Sequence, residues 1–204
     1  MILMIEGARH VGKTHLMEAF FAQNTDPRVQ YYKFQFSKYL SALGLEDQET
    51  GPGIHYFSIA NVMTIFELND TVFKDKLLVF DRSIFSAYVW SIYRRRMHED
   101  RLLEEFEKIL DSDLYHDVSV VDIRLGDKAV LTGRDKSHDY FDNFENPKAE
   151  SKIFDKVYRK FHTQMHDAKR GNNMLRIKNN FDATSIDNFI ISMNSIANSF
   201  HTIG

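Results

Sequence analysis

Gly7 is followed, after four residues, by Gly12-Lys13-Thr14, inside the opening segment ILMIEGARHVGKTHL. Glycines at that spacing let the backbone turn tightly, so that successive N–H groups point inward. The amides of Gly7, Ala8, Arg9, His10, Val11 and Gly12, with those of Lys13, Thr14 and His15 at the start of a helix, would form a cradle for an anion. Lys13 would reach the β- and γ-phosphates of a nucleotide, and the Thr14 hydroxyl would ligate Mg²⁺. The side chains of Arg9 and His10 suit contact with phosphate or with solvent equally well. The pattern is that of a P-loop, and ATP and Mg²⁺ are the cofactors it calls for.

A second set, Asp81-Arg82-Ser83, closes the apolar run KLLVF. An Asp at the end of a buried strand completes many phosphate-loop sites, its carboxylate holding the Mg²⁺ shell directly or through water. ATP-driven motors usually set an acid beside that Asp to orient the attacking water. Arg82 cannot do so, but its fork matches a phosphate, on the acceptor or in transfer. The pair therefore favours phosphoryl transfer to a bound acceptor over hydrolysis. No N-K-x-D sequence for guanine is present, which counts against a GTPase.

Such residues need a scaffold. The segments Gln30–Phe36, Lys76–Phe80, Val118–Ile123 and Met174–Ile177, with the run before Gly7, read as strands of a parallel sheet. Between them lie helical stripes: Leu16, Met17, Phe20 and Phe21; Ile59, Val62, Met63 and Phe66; Leu102, Leu103, Phe106, Ile109 and Leu110; Ile153, Phe154, Val157, Tyr158, Phe161 and Met165; and Ile186, Phe189, Ile190, Met193, Ile196 and Phe200. Alternation of this kind predicts an α/β fold with helices on both faces, and ligands at the carboxyl ends of the strands.

The chain of 204 residues is 43% hydrophobic, enough for one domain with a real core. It has no cysteine, which rules out disulfides and thiolate chemistry. The first apolar run is too short for a signal peptide, no stretch is long enough to span a membrane, and the cytoplasm is the expected location. A net charge of −3 gives no global pull toward nucleic acid, and Arg94-Arg95-Arg96 is better read as a solvated helix face than as a binding patch.

Taken together, these segments resemble the thymidylate kinase and deoxynucleoside kinase group of P-loop kinases, the nucleoside monophosphate kinase type. IEGARHVGKT matches the group's opening, and FDRSIFSAYVW resembles its strand-three motif. VSVVDIRLGDKAVLTGRDKSHDYFD resembles its fourth strand and lid, and MLRIKNNFDAT its last strand and the loop that packs on adenine. The resemblance implies a three-layer P-loop NTPase fold, a five-stranded parallel sheet flanked by helices. It spans 1–204 as one kinase domain, with a small lid over about 132–150. Catalysis would fall to Lys13, Asp81, Arg82 and Arg134, with Mg²⁺ at Thr14 and Asp81. Arg82 would hold the acceptor, and Arg134 would swing in with the lid.

The chain departs from the group in places. Its second strand, QYYKFQFSKYL, carries no acid, although deoxynucleoside kinases use one there as the base for a sugar hydroxyl. That leans toward a nucleotide acceptor. The lid has Arg134 and Lys136 and then turns acidic, and His10 stands where some thymidylate kinases have an arginine. For the acceptor, Tyr32, Phe36 and Phe57 offer faces to a base and Asn61 a base-edge partner, beside Arg82. Tyr88 and Trp90 have the same faces, although core packing is the better reading of each of these aromatics. His138, Asp139, Asp142 and Glu145 have metal-ligand types, but a polar lid fits the order of elements better.

The expected activity is ATP-dependent phosphoryl transfer to a deoxynucleoside monophosphate. The alternatives are a kinase of a nucleoside or of a DNA or RNA hydroxyl, at a terminus or modified base, and a nucleotide-binding switch without a small substrate. The expected partner is a small nucleotide, with nucleic acid less favoured and no membrane. A homodimer through the surface near Tyr88, Trp90 and Tyr93 stays open.

Overall fold

In a computed structural model, residues 1–33, 42, 52–93, 97–110, 118–127, 145–167 and 173–203 are described. Five strands, β1 (Ile2–Glu6), β2 (Val29–Lys33), β3 (Leu77–Asp81), β4 (Val118–Leu125) and β5 (Asn173–Asn179), form one sheet in the order β2-β3-β1-β4-β5. Every pairing is parallel. Six helices accompany them among the described residues: α1 (Lys13–Gln23), α2 (Pro52–Thr71), α3 (Ile84–Tyr93), α4 (Glu99–Leu110), α5 (Glu145–Asp167) and α6 (Ala183–Ile203).

β1 and β3 are buried at every position, because a strand in the middle of a parallel sheet has helices on both faces. Alternate residues feed two separate cores. Ile2, Met4, Leu78, Phe80, Val118 and Val120 face α2 to α5, where Phe85, Phe106, Phe154 and Phe161 fill the space. Leu3, Ile5, Val79, Val121 and Ile123 face α1 and α6, against Leu16, Phe20, Phe189 and Met193. Three layers follow from that alternation, and the three-layer P-loop NTPase fold expected from the sequence is what forms.

The strand bounds differ slightly from the expected ones. β3 runs one residue further and includes Asp81 itself, and β4 continues to Leu125. β2 starts at Val29; residues 34–36 of its expected span lie outside the described residues. So do 132–144 of the expected lid, with Arg134, His138, Asp139 and Asp142, and also Arg94–Arg96. Positions 145–150 form the first turns of α5.

Two polar ties brace the first core. Asp122, fully buried on β4, accepts from Arg124 Nε at 2.7 Å and Arg176 Nε at 2.9 Å. Both arginines also reach Asp155 of α5, at 2.8 and 3.1 Å, which fastens that helix to β4 and β5. The second tie is buried His55 of α2, whose Nδ1 lies 2.8 Å from Ser91 Oγ of α3 and whose Nε2 lies 3.3 Å from Glu105 Oε1 of α4. Ser-His-Glu in line is also the order of a hydrolase triad. Here the serine and histidine are both wholly shielded, so no substrate carbonyl reaches the hydroxyl, and the set joins three helices instead.

Candidate functional site

The phosphate loop fills the turn from β1 into α1. Gly7 has φ 134°, and a Cβ there would stand 2.2 Å from the Ile123 carbonyl oxygen, so β4 leaves room for glycine alone. Gly12 has φ 86°, and a Cβ there would meet Asn179 Nδ2 at 2.4 Å and the Phe181 ring at 2.7 Å. His10 between them is also left-handed, with φ 62°. Ala8 and Val11 are buried in the second core, so they offer the loop their backbone only. α1 opens with no side-chain cap and no acid in its first turn. The N–H groups of that turn are the ones a helix leaves without internal partners, and a phosphate suits them.

Lys13 curls back over this loop. Its Nζ donates to the Gly7 carbonyl at 2.8 Å and the Ala8 carbonyl at 2.6 Å. Burial, with the nearby positive charge of Arg82, pushes its pKa down to about 7, against the opposing charges of Asp81, Glu150 and Glu6. A phosphate bound here would supply the counter-charge that burial withholds.

Thr14 and Asp81, the two residues expected to share a Mg²⁺ shell, lie in contact. Thr14 Oγ1 donates to Asp81 Oδ2 at 3.2 Å. Tyr31 of β2 donates to the same oxygen at 3.2 Å, and its ring stacks on Phe21 of α1 with centroids 5.1 Å apart. Burial first, and then the Asp81 charge, raises the Tyr31 pKa, so the phenol stays a donor. Two hydroxyl groups thus aim one carboxylate, and oxygen donors of this kind suit Mg²⁺.

Arg82 follows in a left-handed conformation, φ 75°. For a non-glycine residue this costs on the order of 1–3 kcal/mol. Its N–H donates to the Ile5 carbonyl at 3.1 Å, and its Nη1 is buried without a hydrogen-bond partner among the described residues. A buried guanidinium N–H in that state is a ready donor for an anionic group. Beside it, the fully buried Glu6 accepts from Ser83 Oγ and Ser86 Oγ, each at 2.5 Å.

The other expected residues are dispersed. Arg9 packs its guanidinium 4.0 Å over Trp90 and 5.6 Å from Tyr93, and gives its backbone N–H and Nε to buried Glu150 at 3.2 and 3.4 Å. Its charge is thus held by α3 and α5. His15 is exposed on α1. Tyr32 is packed against Phe73 and Phe80, and Phe57 is exposed on α2. Asn61 sits in α2, its side chain outside the described residues, and Phe36 lies outside them altogether. Tyr88 is core, with its hydroxyl on Glu105 at 3.1 Å. Sequence reasoning missed Tyr31, Glu150 and Asn179. Only Tyr31 left a signal, as an aromatic pair within a candidate strand.

No protein-family model matches this chain, and neither does any curated protein. Among 71 matching chains of solved structures is the NadR protein, solved in complex with NR. It is 11% identical, with a TM-score of 0.52, over 95% of this chain and 48% of that one. The chain thus spans about half the length of NadR, and the likeness establishes the shared fold.

Proposed function

We propose that the protein is a kinase that moves the γ-phosphoryl group of ATP to a deoxynucleoside monophosphate. The observation that carries this reading is the meeting of three parts at the carboxyl ends of β1 and β3. They are a glycine-turned loop with Lys13 curled over it, the Thr14–Asp81 contact, and Arg82 next in sequence with a buried donor that meets no hydrogen-bond partner among the described residues. The loop and Lys13 would grip the donor phosphates. Thr14 and Asp81 would hold Mg²⁺, which neutralises charge on the phosphate oxygens when bound. Arg82 would orient the acceptor. An oxygen of the acceptor phosphate forms the new bond to the γ-phosphorus, the bond to the β–γ bridging oxygen breaks, and ADP leaves. A phosphate acceptor is already ionised, so the lack of an acid after β2 does not hinder it.

A second reading, transfer to a hydroxyl, draws on Glu150. This buried carboxylate sits against the phosphate loop in a pair with Arg9, and it would accept a proton from a hydroxyl acceptor once that pair opened.

A coupled assay of ADP release decides between them, run over deoxynucleoside monophosphates, nucleosides, NR and DNA ends. Stimulation by a monophosphate is the expected result. Stimulation only by hydroxyl acceptors would favour the second reading, and no stimulation by any acceptor would remove both. Lys13→Ala should lower transfer by roughly two orders of magnitude or more while the fold persists, since it takes away a preorganised charge.

A further inference from the structure

We propose that Glu6 is a positioning residue that fastens the Arg82 turn to the strand leading into the phosphate loop, setting the acceptor arginine against the donor loop. This rests on the kinase reading above.

Glu6 is the last residue of β1 and precedes Gly7. Its two carboxylate oxygens are divided between two hydroxyl groups, Oε1 taking Ser83 and Oε2 taking Ser86. Ser83 follows Arg82 directly and immediately precedes α3, whose first turn holds Ser86. A carboxylate at a helix N-terminus is favoured by the helix dipole, which helps a buried charge persist there. The Ser83 hydroxyl also contacts Met4 Sδ, and the Arg82 N–H holds the Ile5 carbonyl. Three successive residues of β1, Met4, Ile5 and Glu6, therefore grip residues 82, 83 and 86.

The grip has a purpose that core packing does not supply. Arg82 holds a left-handed backbone that an arginine does not adopt unaided, with a buried Nη1 that meets no partner among the described residues. Surrounding structure must over-determine such a residue, and Glu6 is the one acid among its described neighbours that bonds to both serines following it. Burial raises the Glu6 pKa, while the two serines, Arg82 and Lys13 lower it, so the carboxylate answers to charges on both substrate sides. A chain of this kind transmits position, as outer-shell partners do for metal ligands.

The test uses the full chain and the acceptor that the assay above selects. Glu6→Gln keeps the shape but cannot accept from both serines. It should lower acceptor kcat/KM about tenfold while ATP affinity, measured without acceptor, stays within about threefold. In an Arg82→Ala background the same change should have almost no further effect, because Glu6 acts through Arg82. Equal losses in both backgrounds, or loss of ATP affinity to the same degree as acceptor use, would overturn the proposal. Ser86→Ala, which removes one donor and no charge, serves if Glu6→Gln fails to fold, and should act in the same direction with the same dependence on Arg82.

An arm that needs no activity is the Arg82 Nε–Hε signal in ¹⁵N NMR, assigned by its disappearance in Arg82→Ala. It should shift and broaden in Glu6→Gln or Ser86→Ala, and an unmoved signal overturns the proposal. If no acceptor stimulates the wild-type chain, the kinase reading fails alone and this arm decides the role of Glu6.

Discussion

Lys13 shows how one residue ties binding to stability. Its ammonium is buried near the Arg82 charge and, among the described residues, donates to two neutral carbonyls; burial first and then Arg82 bring its pKa from 10.5 to about 7. A base depressed in the folded state makes the unfolded chain hold more protons between those two values. The contribution of this group to folding is therefore least favourable at and below pH 7 and improves as pH rises toward 10.5. Phosphate affinity runs the other way, because the charge that a phosphate needs is lost over the same range. In chemical denaturation, wild type should gain stability relative to Lys13→Met as pH is raised from 7 to 10, while its ATP affinity falls. A difference that is flat with pH would show that the ammonium is not held in a depressed state. Tyr31 acts on the same scale through its phenol, which burial and the Asp81 charge keep protonated and which donates to the Asp81 carboxylate.

Among the elements, the loop after β5 closes the donor side. Asn179, fully buried at the end of β5, donates from Nδ2 to the Val11 carbonyl at 2.9 Å and accepts the Phe181 N–H at 2.8 Å through Oδ1. Phe181 is left-handed, φ 62°, and its ring lies where a side chain on Gly12 would be. Asn179→Ala leaves the Val11 carbonyl buried and unpaired, at a cost of about 1–3 kcal/mol. Its ATP affinity should fall more than its acceptor KM changes, as nucleotide titration and steady-state kinetics would read. A larger effect on the acceptor would place this loop on the wrong side of the site. The contrast with β1 and β3 explains what was legible. Glycine spacing, Lys13, Thr14 and the Asp81-Arg82 pair are local patterns forced by phosphate chemistry, so they stand out in a linear chain. Asn179 reaches Val11 across 168 positions, Glu150 reaches Arg9 across 141, and Tyr31 reaches Asp81 across 50. Those contacts exist only once the sheet order is set, and nothing in residue type foretells them. The alternation of strand and helix gave away the layers but not the partners. Tyr32 and Tyr88 illustrate the point, since an aromatic ring suits both a core and a base and only the neighbours decide.

For the whole molecule, the two cores pose a question about cooperativity. One contains the rings of α3, α4 and α5, with Phe85 against Phe106 at 5.2 Å and Phe161 at 5.0 Å between centroids. The other holds α1 and α6 around Phe20, Phe189 and Met193. They share no side chains, yet every strand of the sheet separates them by one backbone thickness, and each strand contributes alternate residues to both. Losing one core would strip the other of its floor, because a strand of a parallel sheet is not stable with an open face. The glycine loop and the Arg82 turn span both layers, so a partly unfolded form would have no intact site. Phe85→Ala and Phe189→Ala each delete a fully buried ring, at about 3–5 kcal/mol apiece. Both should shift one common transition, followed by tryptophan fluorescence, which reports from Trp90 on the α3 side, and by far-ultraviolet circular dichroism, which reports on all helices. If Phe189→Ala instead melts part of the helical signal while the Trp90 signal keeps its wild-type midpoint, the two layers fold independently and residues 1–204 are not one domain.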